Sequence, residues 1–141
     1  MGLFSDLRQA RKDDTELGQG LWRRAHDRFR RGLDRFHQVL EGVSGDALYG
    51  QLVPVADELA ALLPRIRAVC VTAQRIAPSE GLDIPPELAP LHRILSRAGN
   101  DLATAAQAAT LARLGSTDVD SVRRRAAVVV SLVAEAEEQL R

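Results

Sequence analysis

Apolar residues recur along the chain at alternating steps of four and three. One column reads Trp22, His26, Phe29, Leu33, Phe36, Leu40 and Val43. A second runs Leu52, Ala56, Leu59, Leu63, Ile66, Cys70, Ala73 and Ala77, flanked by Leu48, Val55, Leu62, Val69 and Ile76 at every seventh position. A third contains Leu88, Leu91, Leu95, Ala98, Leu102, Ala105, Ala109 and Ala112, and a fourth Val119, Val122, Ala126, Val129, Val133, Ala136 and Leu140. A period of 3.5 residues marks helices that pack at a shallow left-handed angle. No stretch alternates as a half-buried strand would.

The punctuation between these columns sets the expected ends. Asp13 with Glu16 has the spacing of a helix N-terminal cap, and Gly42 stops the first segment. Ser44 caps the second, which runs to Ala77 before Pro78. Pro54 and Pro64 lie inside it, yet the register continues in phase across both, which predicts one kinked helix. Pro86 suits the first position of the third segment and Gly115 ends it. Thr117 with Asp120 then reads as the cap of the fourth.

Short connectors favour antiparallel neighbours. The sequence therefore predicts an all-α protein: an up-down-up-down antiparallel four-helix bundle over residues 14–141, preceded by a short amphipathic segment over residues 1–13. A helical hairpin that completes its core by dimerising is the alternative. With 141 residues, the chain has the length of one domain, and it can bury a core without disulfides or metal.

Composition sharpens this picture in one respect. Lys and Arg total 19 against 19 Asp and Glu, so bulk charge is not the means of binding and nucleic acid is a poor candidate partner. Lys12 is the single lysine. The Arg bias is read as codon usage of a GC-rich bacterial genome, without functional weight. Cys70 is the only cysteine, which excludes an internal disulfide and fits a reducing cytoplasm. No apolar run is long enough to span a bilayer.

Neutrality is an average over separated patches. Trp22 to His37 carries six Arg and two Asp. Arg24, Arg28, Arg31 and Arg35 fall on one strip opposite the apolar column, a candidate docking strip for an acidic protein segment, anionic lipid or nucleic acid. In the fourth segment Arg123, Arg124 and Arg125 precede Glu135, Glu137 and Glu138, the unfavourable order for the helix dipole. An antiparallel first helix would compensate, bringing Arg23 and Arg24 to the Glu cluster and Asp34 to the Arg triplet. Arg28 and Arg31 are then expected to be the least neutralised. Ala127 and Val128 extend the apolar circumference of the fourth segment beyond its column, a candidate self-association or partner face.

Residues 1–12 place Leu3 and Leu7 on one helical face, with Phe4 at its border and Arg8, Arg11 and Lys12 elsewhere, as an interfacial helix would. Leu3, Phe4 and Leu7 are the candidate membrane contacts. The opening Met1-Gly2-Leu3-Phe4-Ser5-Asp6-Leu7 resembles the start of the phage-shock protein A family of bacterial membrane-maintenance proteins, which implies a leading helix that binds anionic lipid. The rest of the chain has no long charged coiled-coil arm of the kind that family carries, so membership is not assigned.

Nothing in the sequence points to catalysis. Phosphate-binding glycine loops, a nucleophile elbow and a His-Glu-x-x-His pair are all absent, and His26, His37 and His92 have no ligand at metal-binding spacing. The sequence predicts no cofactor, metal or small-molecule substrate. His26 reads as a core-edge histidine and Cys70 as a buried hydrophobe. The expected function is a non-enzymatic cytoplasmic interaction module with a protein partner or its own copy. The alternative is a peripheral membrane protein using the N-terminal segment and the Arg strip.

Overall fold

A computed structural model describes residues 2–141; Met1 lies outside the described residues. Among the described residues the chain is all-helical, with no strand. Six α-helices follow in order: α1 (Leu3–Leu17), α2 (Leu21–Glu41), α3 (Asp46–Ala60), α4 (Leu63–Ile76), α5 (Ala89–Arg113) and α6 (Val119–Glu138). A turn of 3-10 helix, Pro86–Leu88, leads into α5. Helices α2 to α6 pack around a common core, and α1 lies against α4 and α2.

The expected count of four differs from this at two places. Pro64 has no N–H to donate to Ala60, so the second segment breaks at Ala61 and Leu62 into α3 and α4 instead of kinking as one helix. Pro54 stays inside α3 at an exposed position, four residues after the exposed Gly50, where water can take the freed carbonyl. The N-terminal segment is a full helix that continues through residue 13 to Leu17. Asp13 and Glu16 therefore stand near its end and cap nothing.

The cap of α2 comes from a distant residue instead. Its N-cap position is Gly20, which has no side chain to offer, and the Leu21 N–H donates to Ser79 Oγ at 3.0 Å. Trp22 Nε1 donates to the Ala77 carbonyl at 2.9 Å, which fixes the start of α2 to the end of α4. A Cβ at Gly20 would overlap the Ser79 carbonyl, so this corner closes only on glycine. Gly18, at φ +71°, supplies the left-handed turn that ends α1. Elsewhere the caps shift by a residue or are missing. Gly45, not Ser44, stands at the N-cap of α3, and Asp118 caps α6 in place of Thr117, accepting from the Ser121 N–H at 3.0 Å.

The four apolar columns form the core. Trp22, Phe29 and Phe36 of α2, Leu52, Leu59 and Ile66 of α3 and α4, Leu91 and Leu102 of α5, and Val129 and Val133 of α6 are all at most 2 % exposed. Ile76 departs from its column and is exposed. The most extensive packing is α5 on α6; the buried residues of α5 include Ala105, Ala109 and Ala112, and those of α6 include Val122, Ala126, Val129 and Val133.

Helix α5 does not lie beside α4. It crosses over to run parallel to α2: Arg28 reaches Ser96 and Asn100, Gly32 faces Leu102, and Gly42 faces Arg113. A Cβ on Gly32 would sit 2.7 Å from Leu102 Cδ2, so the missing side chain sets how close these helices come. On the far side α6 runs parallel to α3 and α4, with Ala126 near Val55 and Glu137 paired to Arg65. Helices α2 and α6 do not pack broadly against each other.

Candidate functional site

Helix α1 divides into two halves. Its last turns are fastened to the body: Leu17 is fully buried, and the Asp13 carboxylate, 4 % exposed, accepts from Arg67 Nη2 at 2.8 Å and Gln9 Nε2 at 2.8 Å. Arg67 Nη1 also donates to Glu16 at 2.7 Å. Burial by itself raises the Asp13 pKa, but the hydrogen bonds from Arg67 and Gln9 and the Arg67 charge outweigh it. The carboxyl ends below its ordinary value of 3.8. A second chain of contacts runs through Arg23, which pairs with Asp14 at 2.8 Å and Asp27 at 3.0 Å.

The first half of α1 touches little. Every residue from Gly2 to Lys12 is exposed, including Leu3 at 72 %, Phe4 at 78 % and Leu7 at 47 %. Arg8, Arg11 and Lys12 lie among them. The three candidate membrane contacts thus form one uncovered group bordered by cations.

The Arg strip of α2 is exposed, but its surroundings differ from those expected. Arg28 turns towards α5, donating to Asn100 Oδ1 and approaching the Ser96 carbonyl at 3.5 Å. Arg24, Arg31 and Arg35 form no ion pair among the described residues. The expected compensation between the first and fourth segments does not occur, because α5 and not α6 lies beside α2. Glu137 pairs with Arg65 of α4 at 2.6 Å, Glu138 with Arg141, and Arg123 with its own neighbour Asp120. On α6, Ala127 is exposed and Val128 is 42 % exposed, so that candidate face is uncovered in the single chain.

Sequence reasoning missed an open, mainly apolar pocket of about 430 Å³ between α1, α2 and the α3–α4 break. His26 and Arg30 line it from α2, Leu63, Pro64 and Arg67 from α4, and Gln9 and Asp13 from α1. The His26 side chain is 4 % exposed, with Nδ1 2.9 Å from Asp27 Oδ1. The signal available in the sequence was the i, i+4 pair His26 and Arg30, on the α2 face that meets α4; nothing placed α1 above it.

Cys70 is buried, and burial, with a smaller push from Asp27, raises its thiol to about 12, so it serves as a packing residue. No helix among the described residues is long and apolar enough to cross a membrane. No group of three or more His, Cys, Asp or Glu side chains among them could hold a metal ion. Comparison with known proteins finds no family model, no curated protein and no solved structure that matches this chain.

Proposed function

We propose that the protein is a non-enzymatic docking module whose contact element is α1 and whose partner is an anionic membrane surface. The carrying observation is the exposure of Leu3, Phe4 and Leu7 on a helix that also presents Arg8, Arg11 and Lys12. Burying such side chains in the headgroup and acyl boundary contributes roughly 1.5–3 kcal/mol each when complete. Each nearby cation adds about 1 kcal/mol on an anionic leaflet. The sum, less the cost of ordering, suits reversible association.

A second reading, docking of a protein partner or a second copy on α6, is favoured by the exposure of Val128 beside Ala127. The Arg24, Arg31 and Arg35 side chains of α2 would serve an acidic partner in the same way. We also infer that α3 and α4 fill one helical position, so that the body is a four-helix bundle whose directions alternate along the chain and in which α5 lies beside α2.

Co-sedimentation with vesicles tests the membrane reading. The full chain is expected to pellet with phosphatidylglycerol vesicles, more weakly with phosphatidylcholine alone, and not at all after combined Leu3→Ser, Phe4→Ser and Leu7→Ser substitution. Equal pelleting of the triple variant and the parent chain would remove α1 from the role.

A further inference from the structure

The cavity under α1 has features of a ligand site that the docking function does not use. His26 is nearly sealed by protein, yet only one of its ring nitrogens has a protein partner. Asp27 accepts at Nδ1, and Nε2 forms no hydrogen bond among the described residues. Among the described residues no buried side-chain nitrogen or oxygen lacks a partner, so Nε2 is not enclosed, and His26 lines this pocket. An ionised carboxylate can only accept, which keeps a proton on Nδ1 and leaves Nε2 as the atom available to a bound molecule.

The charges around it are unequal. Asp13 is already satisfied by Arg67 and Gln9, and Arg67 is shared between Asp13 and Glu16. Asp27 is shared between His26 and Arg23. Among the described residues Arg30 forms no ion pair, although it lines the same pocket one helical turn after His26. Residues four apart on a helix are neighbours, with Cβ atoms about 6 Å apart, so both heads can reach one small anion. Opposite them stand Leu63, Pro64 and the Ala60 methyl, which hydrate poorly and offer contact to an apolar tail. A volume of about 430 Å³ lies within the usual range for small-molecule sites.

We propose that this cavity binds a small organic anion, a carboxylate with a short aliphatic tail, held by Arg30 and the His26 imidazolium with its tail on Leu63 and Pro64. The carboxylate accepts from the Arg30 guanidinium and from Nε2–H, and the ring takes up one proton from solvent. Asp27 holds the other end of the ring, as a carboxylate does when it orients an imidazole. This site does not depend on the membrane reading, because the three exposed apolar residues of α1 do not line it.

Hexanoate and 1-hexanol serve as the probes, titrated into the labelled full chain at a fixed, mildly acidic pH. Hexanoate is expected to shift the His26 ring and Arg30 side-chain resonances saturably. 1-Hexanol should bind at least about tenfold more weakly, the worth of a charge-assisted hydrogen bond. Arg30→Gln, at an exposed position that leaves the core intact, should weaken hexanoate by a similar factor, and His26→Gln should do the same. The Leu3→Ser, Phe4→Ser, Leu7→Ser variant should bind hexanoate as the parent does. Absence of a saturable His26 shift, equal binding of the alcohol, or unchanged affinity in Arg30→Gln would overturn the assignment.

Discussion

Helices α5 and α6 pack most extensively, with buried faces of Ala, Val and Leu and no ion pair between them among the described residues, whereas α1 is fastened by one buried leucine and a set of carboxylate–guanidinium contacts. Close contact between small side chains excludes water along the whole seam, so that seam shares in the stability of the core. The α1 attachment depends on charges at its edge and leaves the helical residues from Leu3 to Lys12 in solvent. The two halves of the protein therefore answer to different forces. An apolar seam opens only with global unfolding, while a polar strap can release with the body intact.

Substitutions can break this contrast from either side. The largest effect is expected in the seam. Leu132→Ala, at a site 2 % exposed, should destabilise the whole chain by about 2–5 kcal/mol, read as a lower urea midpoint reported equally by every helix. Next, Arg67→Met strands the buried Asp13 carboxylate and should cost about 2–3 kcal/mol. That loss should show first as faster amide exchange in α1, ahead of α5 and α6. A uniform loss of protection would make α1 part of the cooperative core.

Acid provides a milder version of the same cut. The Asp13 carboxyl titrates below its ordinary value in the folded protein, so the unfolded chain binds its proton first as pH falls. The contribution is complete at neutral pH, declines once the unfolded carboxyl begins to protonate, near 3.8, and is gone below the folded value. Exchange of α1 is therefore expected to rise across this interval before the far-ultraviolet signal of the body collapses. Smallest of all is the effect of Leu3→Ser, Phe4→Ser and Leu7→Ser on stability. These side chains are exposed, so the stability should change by no more than about 0.5 kcal/mol per site.

What the sequence made legible was local. The columns through Trp22, Leu59, Leu102 and Val133 name the core because helical spacing alone decides which residues share a face. Gly42 and Gly115 mark their helix ends for a reason equally local. Leu3, Phe4 and Leu7 stood out in the same way, from the mixture of apolar residues and cations in one short helix.

What stayed hidden depended on pairings far apart in the chain. Asp13 and Glu16 mimic a cap, but their partner Arg67 is 54 residues from Asp13; Ser79 caps an N–H 58 residues away. The seam pattern says which face of α5 is buried and not which helix covers it. The connector from Ile76 to Ala89 is long enough to carry α5 across to α2, and that displacement removed the charge compensation expected between α2 and α6. The cavity beside His26 belongs to the same class, since it exists only where α1 spans the break made by Pro64.

Amide hydrogen exchange of the full chain, followed by residue with and without phosphatidylglycerol vesicles, tests the central claim that α1 is the docking element. Without vesicles, residues 3–12 should exchange fast and the α5–α6 seam slowly. With vesicles, protection should rise over residues 3–12 and stay unchanged around Ala127 and Val128 on α6. Protection gained on α6, or on neither helix, would contradict the account.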